Sequence, residues 1–443
     1  MNTVSFSMSA VKAVLTLALL TCAVLGGSPA IATAATANWV TTWQASPQPT
    51  WGPDFLLPTN VPPVLHHQTV RQIARVSLGG ARLRIVLSNA FGRQPLVVGG
   101  ATVAMPGAGS TVIPGSVRRV TFGGQEAATI LPGASLLSDP VELPIAALEQ
   151  VAVSLYLPEA TPVATFHWDG RQSAWIVPGN QTLARELRAG HESVLNTTAR
   201  LLLTGIQVET AQTPRAFVVL GDSISDGATA TLDKNSRWPD FLATRLAPHG
   251  VAVVNAGISG ARLLSDGMGV NALARFDRDV LAQPGVQSVI VMLGINDIAW
   301  PGTAFAPTSL RPTLETLQAG YRQLVAQAHS HGVRVIGATL TPFEGALPGT
   351  PLDNYYHADK DALRRQLNDW IRDSGVFDAV IDFDAVLRDP ANPARLGARF
   401  DSGDRLHPGD EGNRAMADSV DLETLLKGIG TPNGSMPTTK QER

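Results

Sequence analysis

The sequence predicts two regions of different class, a β-sandwich followed by an α/β domain built on a parallel sheet. Two observations carry this. Before Pro214 the apolar residues recur with period two, in short runs broken by Gly, Pro and Asn, which is the punctuation of antiparallel strands. After Pro214 the apolar runs become continuous, as strands buried on both faces require, and longer stretches of helical period separate them. A chain of 443 residues, 44% hydrophobic and 16% charged, has apolar material for two such cores.

In the first region, residues 38–213, Thr69 to Val76 alternates apolar and polar residues, Gly79-Gly80 marks a turn, and Arg82 to Leu87 resumes the alternation. That pattern predicts a hairpin. Gln150 to Leu157 and Arg200 to Val208 behave similarly, and no segment here sustains a long helical period. A sandwich, with a jelly roll as one form of it, is the expected architecture.

In the second region, residues 214–427, the continuous runs are Phe217 to Leu220, Val251 to Val254, Val286 to Leu293, Val333 to Ala338 and Ala379 to Ile381. Leu314, Leu317, Tyr321, Leu324, Val325 and Ala328 trace the clearest helical face between them. Strands alternating with helices imply a parallel sheet covered on both sides. Residues 428–443 are Gly-, Pro-, Thr- and Ser-rich without apolar period and are expected to be a loose tail. There is no internal repeat.

Residues 1–34 have the pattern of an export signal: Lys12, an apolar run from Ala13 to Leu25, then small residues, with cleavage expected after Ala34. The run is shorter than the roughly 20 residues of a spanning helix, so no stable membrane insertion is expected after cleavage. The expected location is outside the cell or in a periplasm. Cys22, the one cysteine, lies inside this segment, which leaves the mature chain without a thiol. Lipidation of Cys22 is the lesser reading, since Thr21 fits poorly before it. The net charge of −3, with no run of like charge, excludes the basic footprint of a nucleic-acid binder.

In a parallel α/β sheet, ligands bind at the carboxyl ends of the strands. Gly221-Asp222-Ser223-Ile224-Ser225-Asp226-Gly227 follows the first run, where Ser223 can open a helix into the cleft with backbone N–H groups beside it. Asp222 or Ser223 acting only as a helix cap is the plain alternative. Asn255-Ala256-Gly257-Ile258-Ser259-Gly260 follows the second run, and Gly260 allows the backbone to approach an oxyanion. Ser259 is read as a turn residue, because a nucleophile elbow wants glycine where Ala261 stands. After the third run, Asn296 offers an amide donor. Asp404-Arg405-Leu406-His407 comes last, and an aspartate three residues before a histidine can hold its Nδ1–H while Nε2 takes a serine proton.

These four segments, in order, resemble the blocks of the SGNH (GDSL-type) hydrolase superfamily of esterases, lipases and carbohydrate deacetylases. The resemblance spans Ala216 to Val420 and implies a flavodoxin-like three-layer α/β/α fold. It implies Ser223 as nucleophile, Asp404 and His407 as the rest of a triad, and an oxyanion hole of the Ser223 N–H, Gly260 and Asn296. It also implies two acyl-transfer steps that need neither metal nor organic cofactor. Trp39 to Trp43, Ser88 to Gly92 and Ala274 to Asp279 resemble a bacterial subgroup compared with acetylxylan esterases, which suggests acetyl esters of a small molecule or polysaccharide. A lipase or aryl esterase of broader acyl range, an O-acetyltransferase using the same triad, and a non-catalytic carbohydrate-binding protein are the alternatives.

Other residues of chemical type have plainer readings. His329 and His331 suit a solvated helix end, Asp382 and Asp384 compete with Asp404 for the histidine, and His66 and His67 have no nucleophile near them. Trp39, Trp43, Trp51, Trp168 and Trp175 suit either sandwich packing or stacking on sugars.

Overall fold

The computed structural model describes residues 38–190 and 194–427. The export segment, its cleavage point after Ala34, Cys22 and the tail from Gly428 lie outside the described residues.

Antiparallel strands fill the first region, in two larger sheets, a three-stranded sheet and two short pairs. Trp39–Gln44, Leu203–Glu209 and Gly80–Ser88 lie side by side in one sheet, with Ser135–Leu137 and Val141–Ile145 both paired to the last. The other sheet centres on Ala174–Pro178, Gln68–Arg75, Gln150–Leu157 and Gly100–Ala104. Val70 and Ala74 of one sheet and Leu83, Ile85 and Leu87 of the other are buried in the same apolar cluster.

The predicted hairpin does not form. Gln68–Arg75 and Gly80–Ser88 lie in different sheets, and Gly79-Gly80 carries the chain from one to the other. A Cβ at Gly79 would sit 2.2 Å from the Ile145 carbonyl oxygen, and one at Gly80 2.4 Å from that of Glu209. These glycines therefore serve close backbone approach. Alternation records that one face of a strand is buried; it does not say which strand lies beside it.

The five continuous runs of the second region are the strands Ala216–Gly221, Ala252–Asn255, Val286–Met292, Arg334–Ala338 and Ala379–Ile381, all parallel. Numbered along the chain their spatial order is 2-1-3-4-5, the flavodoxin-like arrangement. Helices Trp238–Leu246, Leu314–Ser330, Ala358–Asp373 and Asp410–Ser419 flank the sheet. The strand order reverses between Ala216–Gly221 and Val286–Met292, and a crevice opens at such a point beyond the carboxyl ends of the strands.

The described residues form one compact unit. Thr41 N–H donates to the Pro284 carbonyl at 3.0 Å, and Val253 N–H, on the edge strand of the parallel sheet, donates to Ser77 Oγ at 3.1 Å. Among the described residues no helix is long and apolar enough to cross a membrane.

Candidate active site

The chain leaves the first parallel strand at Gly221 and turns at once into the short helix Ser223–Asp226. Asp222 caps that helix, its Oδ1 accepting Ile224 N–H at 3.0 Å, so the capping reading holds for Asp222. Ser223 occupies the first helical position, half-buried, where the backbone N–H has no partner within the helix.

His407 arrives from the loop before Asp410–Ser419. Its Nε2 lies 2.8 Å from Ser223 Oγ, and its Nδ1 lies 2.6 Å from Asp404 Oδ2. The other Asp404 oxygen accepts the backbone N–H groups of Leu406 at 2.9 Å and His407 at 2.8 Å. Burial pushes the Asp404 carboxyl up, but the His407 ring and these N–H groups outweigh it and hold the group at about 2. Asp382 and Asp384 are engaged elsewhere, by Arg372 and Arg364.

Gly260 follows the second strand with φ of 73°, in the left-handed region. A Cβ there would meet Met268 Sδ at 2.7 Å and the Trp300 ring at 2.8 Å, so both dihedral and space require glycine. Asn296, 3% exposed, sits in the turn of helix after the third strand. Its Nδ2 donates to the Ala261 carbonyl at 3.0 Å, and its Oδ1 accepts the Tyr355 hydroxyl at 2.8 Å, which leaves one Nδ2 hydrogen unspent among the described residues. Ser223, Gly260, Asn296, Asp404 and His407 all line one cleft of about 400 Å³.

Residues 217–420 match the family described as GDSL-like lipase/acylhydrolase. That match covers the α/β part of the chain and makes this part GDSL-like. The protein is therefore a hydrolase of esters. Three solved structures are similar to part of the chain. A putative lipolytic protein of the G-D-S-L family from Desulfitobacterium hafniense is 25% identical, covering 46% of this chain and 96% of its own, with a TM-score of 0.34. An acetyl xylan esterase is 18% identical, covering 46% and 96%, with a TM-score of 0.33. The M. smegmatis aryl esterase is 16% identical, covering 46% and 95%, with a TM-score of 0.37. None of the curated proteins matches the chain.

Three features of this GDSL-like site have no signature in the sequence. Tyr355 is fully buried, and burial drives its hydroxyl well above the usual range, which keeps it a donor to Asn296. Ser259 does more than turn the chain: its N–H and Oγ–H both donate to Asp226 Oδ2 at 2.8 Å. The cleft also takes Leu56, Leu57, Trp168 and Asp169 from the β-rich region.

The tryptophans make packing contacts within the protein. Trp43 is core, Trp39 carries the Arg84 guanidinium 4.2 Å above its ring, and Trp175 packs beside Ile73. Trp51 packs on Trp168 at the cleft, with ring centroids 5.9 Å apart. His329 pairs with Asp378 at 2.9 Å, and His67 with the Tyr156 hydroxyl at 2.7 Å.

Proposed function

We propose that the protein is an exported serine esterase that hydrolyses carboxylic esters through an acyl-enzyme. Ser223 is the nucleophile, His407 the general base and Asp404 its partner. The Ser223 and Gly260 N–H groups and the Asn296 amide form the oxyanion hole. What carries the reading is the unbroken run from Ser223 Oγ through the His407 ring to Asp404, at 2.8 and 2.6 Å.

With Nδ1–H donated to Asp404, the His407 Nε2 lone pair faces the serine hydroxyl. As Oγ attacks the carbonyl carbon, Nε2 takes its proton, and the ionised Asp404 stabilises the imidazolium. Negative charge gathers on the carbonyl oxygen, where fixed donors are worth most. The tetrahedral intermediate collapses as His407 gives the proton to the leaving alkoxide. Water then attacks the acyl-enzyme by the same route and releases the acid.

Acetyl esters on carbohydrate are the substrate that the sequence suggests. The cleft walls favour a second reading, an ester with a hydrophobic acyl or aryl group. Leu57, Met268, Trp300, Phe305, Leu347 and Leu352 dominate the lining. Each methylene buried there contributes about 0.8 kcal/mol, which is about fourfold in kcat/KM.

Initial rates on aryl esters from acetyl to long acyl chains, with Ser223→Ala alongside, test both parts. The variant is expected to be inactive. Rates highest for acetyl support the carbohydrate deacetylase, and rates rising with chain length support the hydrophobic ester. Unchanged activity in Ser223→Ala overturns the triad.

A further inference from the structure

His167 ends the strand Thr165–His167 of the β-rich region, outside the GDSL-like segment, yet its ring is buried against the turn that carries Ser223. Both ring nitrogens face acceptors: Nδ1 lies 3.0 Å from the Ser46 carbonyl oxygen and Nε2 2.9 Å from Asp226 Oδ1. A neutral imidazole donates from one nitrogen only, so satisfying both acceptors requires the imidazolium. Burial opposes that charge, but the Asp226 carboxylate, the Ser46 carbonyl and Asp169 together outweigh burial and raise the histidine's pKa.

Asp226 spends its second oxygen on the N–H and the hydroxyl of Ser259, both at 2.8 Å. Its own N–H is bound to the Asp222 carbonyl at 2.8 Å, in the helical turn that begins with Ser223. Gly257 passes so close that a Cβ there would stand 2.5 Å from Asp226 N. One carboxylate thus ties together the nucleophile turn, the loop before Gly260 and the β-rich region. Anchoring Ser259 at both N and Oγ fixes the orientation of the next peptide unit, whose N–H belongs to Gly260.

We infer that His167 is a positioning residue for the oxyanion hole: through Asp226 and Ser259 it aims the Gly260 N–H at the acyl oxygen. The inference rests on the proposed role of Gly260 as a donor. It gives the β-rich region a part in turnover besides lining the cleft. An error of about 1 Å in such a donor can cost on the order of 10²-fold in rate.

The test is steady-state kinetics and thermal melting of the full chain as His167→Gln and Ser259→Ala, each alone and combined with Asn296→Ala. His167→Gln is expected to lower kcat on the order of 10-fold or more with KM within about twofold, and Ser259→Ala to lower it less, in the same direction. In the Asn296→Ala background both losses should shrink, because the hole is already broken. Should His167→Gln fail to fold, Ser259→Ala and its combination decide. A lower melting temperature with unchanged kcat, or losses that simply multiply with Asn296→Ala, overturns the inference. Full activity in Ser223→Ala instead overturns the reading of the site on which it rests.

Discussion

Asp222 precedes the nucleophile and meets two opposing demands. One carboxylate oxygen caps the Ser223 helix, while Oδ2 is buried with no partner among the described residues. Burial pushes the carboxyl up from 3.8 to about 7. A folded pKa above the unfolded one means a contribution to stability that is full below 3.8 and lost as pH rises through about 7. Asp404 runs the other way: held at about 2, it stabilises the fold above 3.8 and ceases to as pH falls through about 2. Asp222→Asn keeps an oxygen for the cap and is neutral at every pH. Its melting temperature should therefore decline less than the wild type's between pH 4 and 8, roughly the span of the Asp222 shift. Parallel curves for the two proteins across that span would dismiss the assignment. Residues such as Ser223, Asp404 and His407 were legible in the sequence because a strand end or a three-residue spacing marks each. Tyr355 and His167 were not, since each meets its partner, Asn296 or Asp226, 59 positions away along the chain.

At the scale of elements, the parallel strands could be read because burial on both faces leaves a continuous apolar run, whatever the neighbours are. The hairpin was misread because alternation is indifferent to pairing. The Ala274 to Asp279 segment was legible only as a resemblance, and its physical reason lies in Arg275. From the helix Ala272–Phe276, Arg275 donates Nη1 to the Ala256 carbonyl at 2.7 Å and Nη2 to that of Gly221 at 3.3 Å. It thereby binds together the ends of two strands, Gly221 at the end of one and Ala256 just after the other. Its Nη1 also pairs with Asp279, 2.9 Å away and equally buried. Arg275→Met removes the tie and leaves Asp279 with Arg278 alone. The expected cost is about 3 kcal/mol of stability. Urea unfolding should show it as a lower midpoint at unchanged slope. A midpoint within the error of the wild type would mean that the two strand ends are held by something else.

At the scale of the molecule, the question is whether the β-rich region is an appendage or part of the fold. An exposed sheet edge offers unpaired N–H and C=O groups to other chains, and folded proteins cover or charge such edges. Ala252–Asn255 is an edge of the parallel sheet, buried except for half-buried Asn255 and without a charged side chain. The β-rich region covers it: Ser77 accepts Val253 N–H, and Trp39–Gln44 packs beside the strand. Further bonds cross at Gln48 to Met268, His167 to Asp226 and Ser173 to Asp233. A fragment of residues 214–427 would keep every triad residue yet bare that edge and lose Leu56, Leu57 and Trp168 from the cleft. It should aggregate at micromolar concentration by light scattering and show no esterase activity, whereas the full chain should melt in a single calorimetric transition. A monomeric fragment with the melting temperature and kcat of the full chain would make the β-rich region a separate module, and the His167 contact to Asp226 dispensable with it.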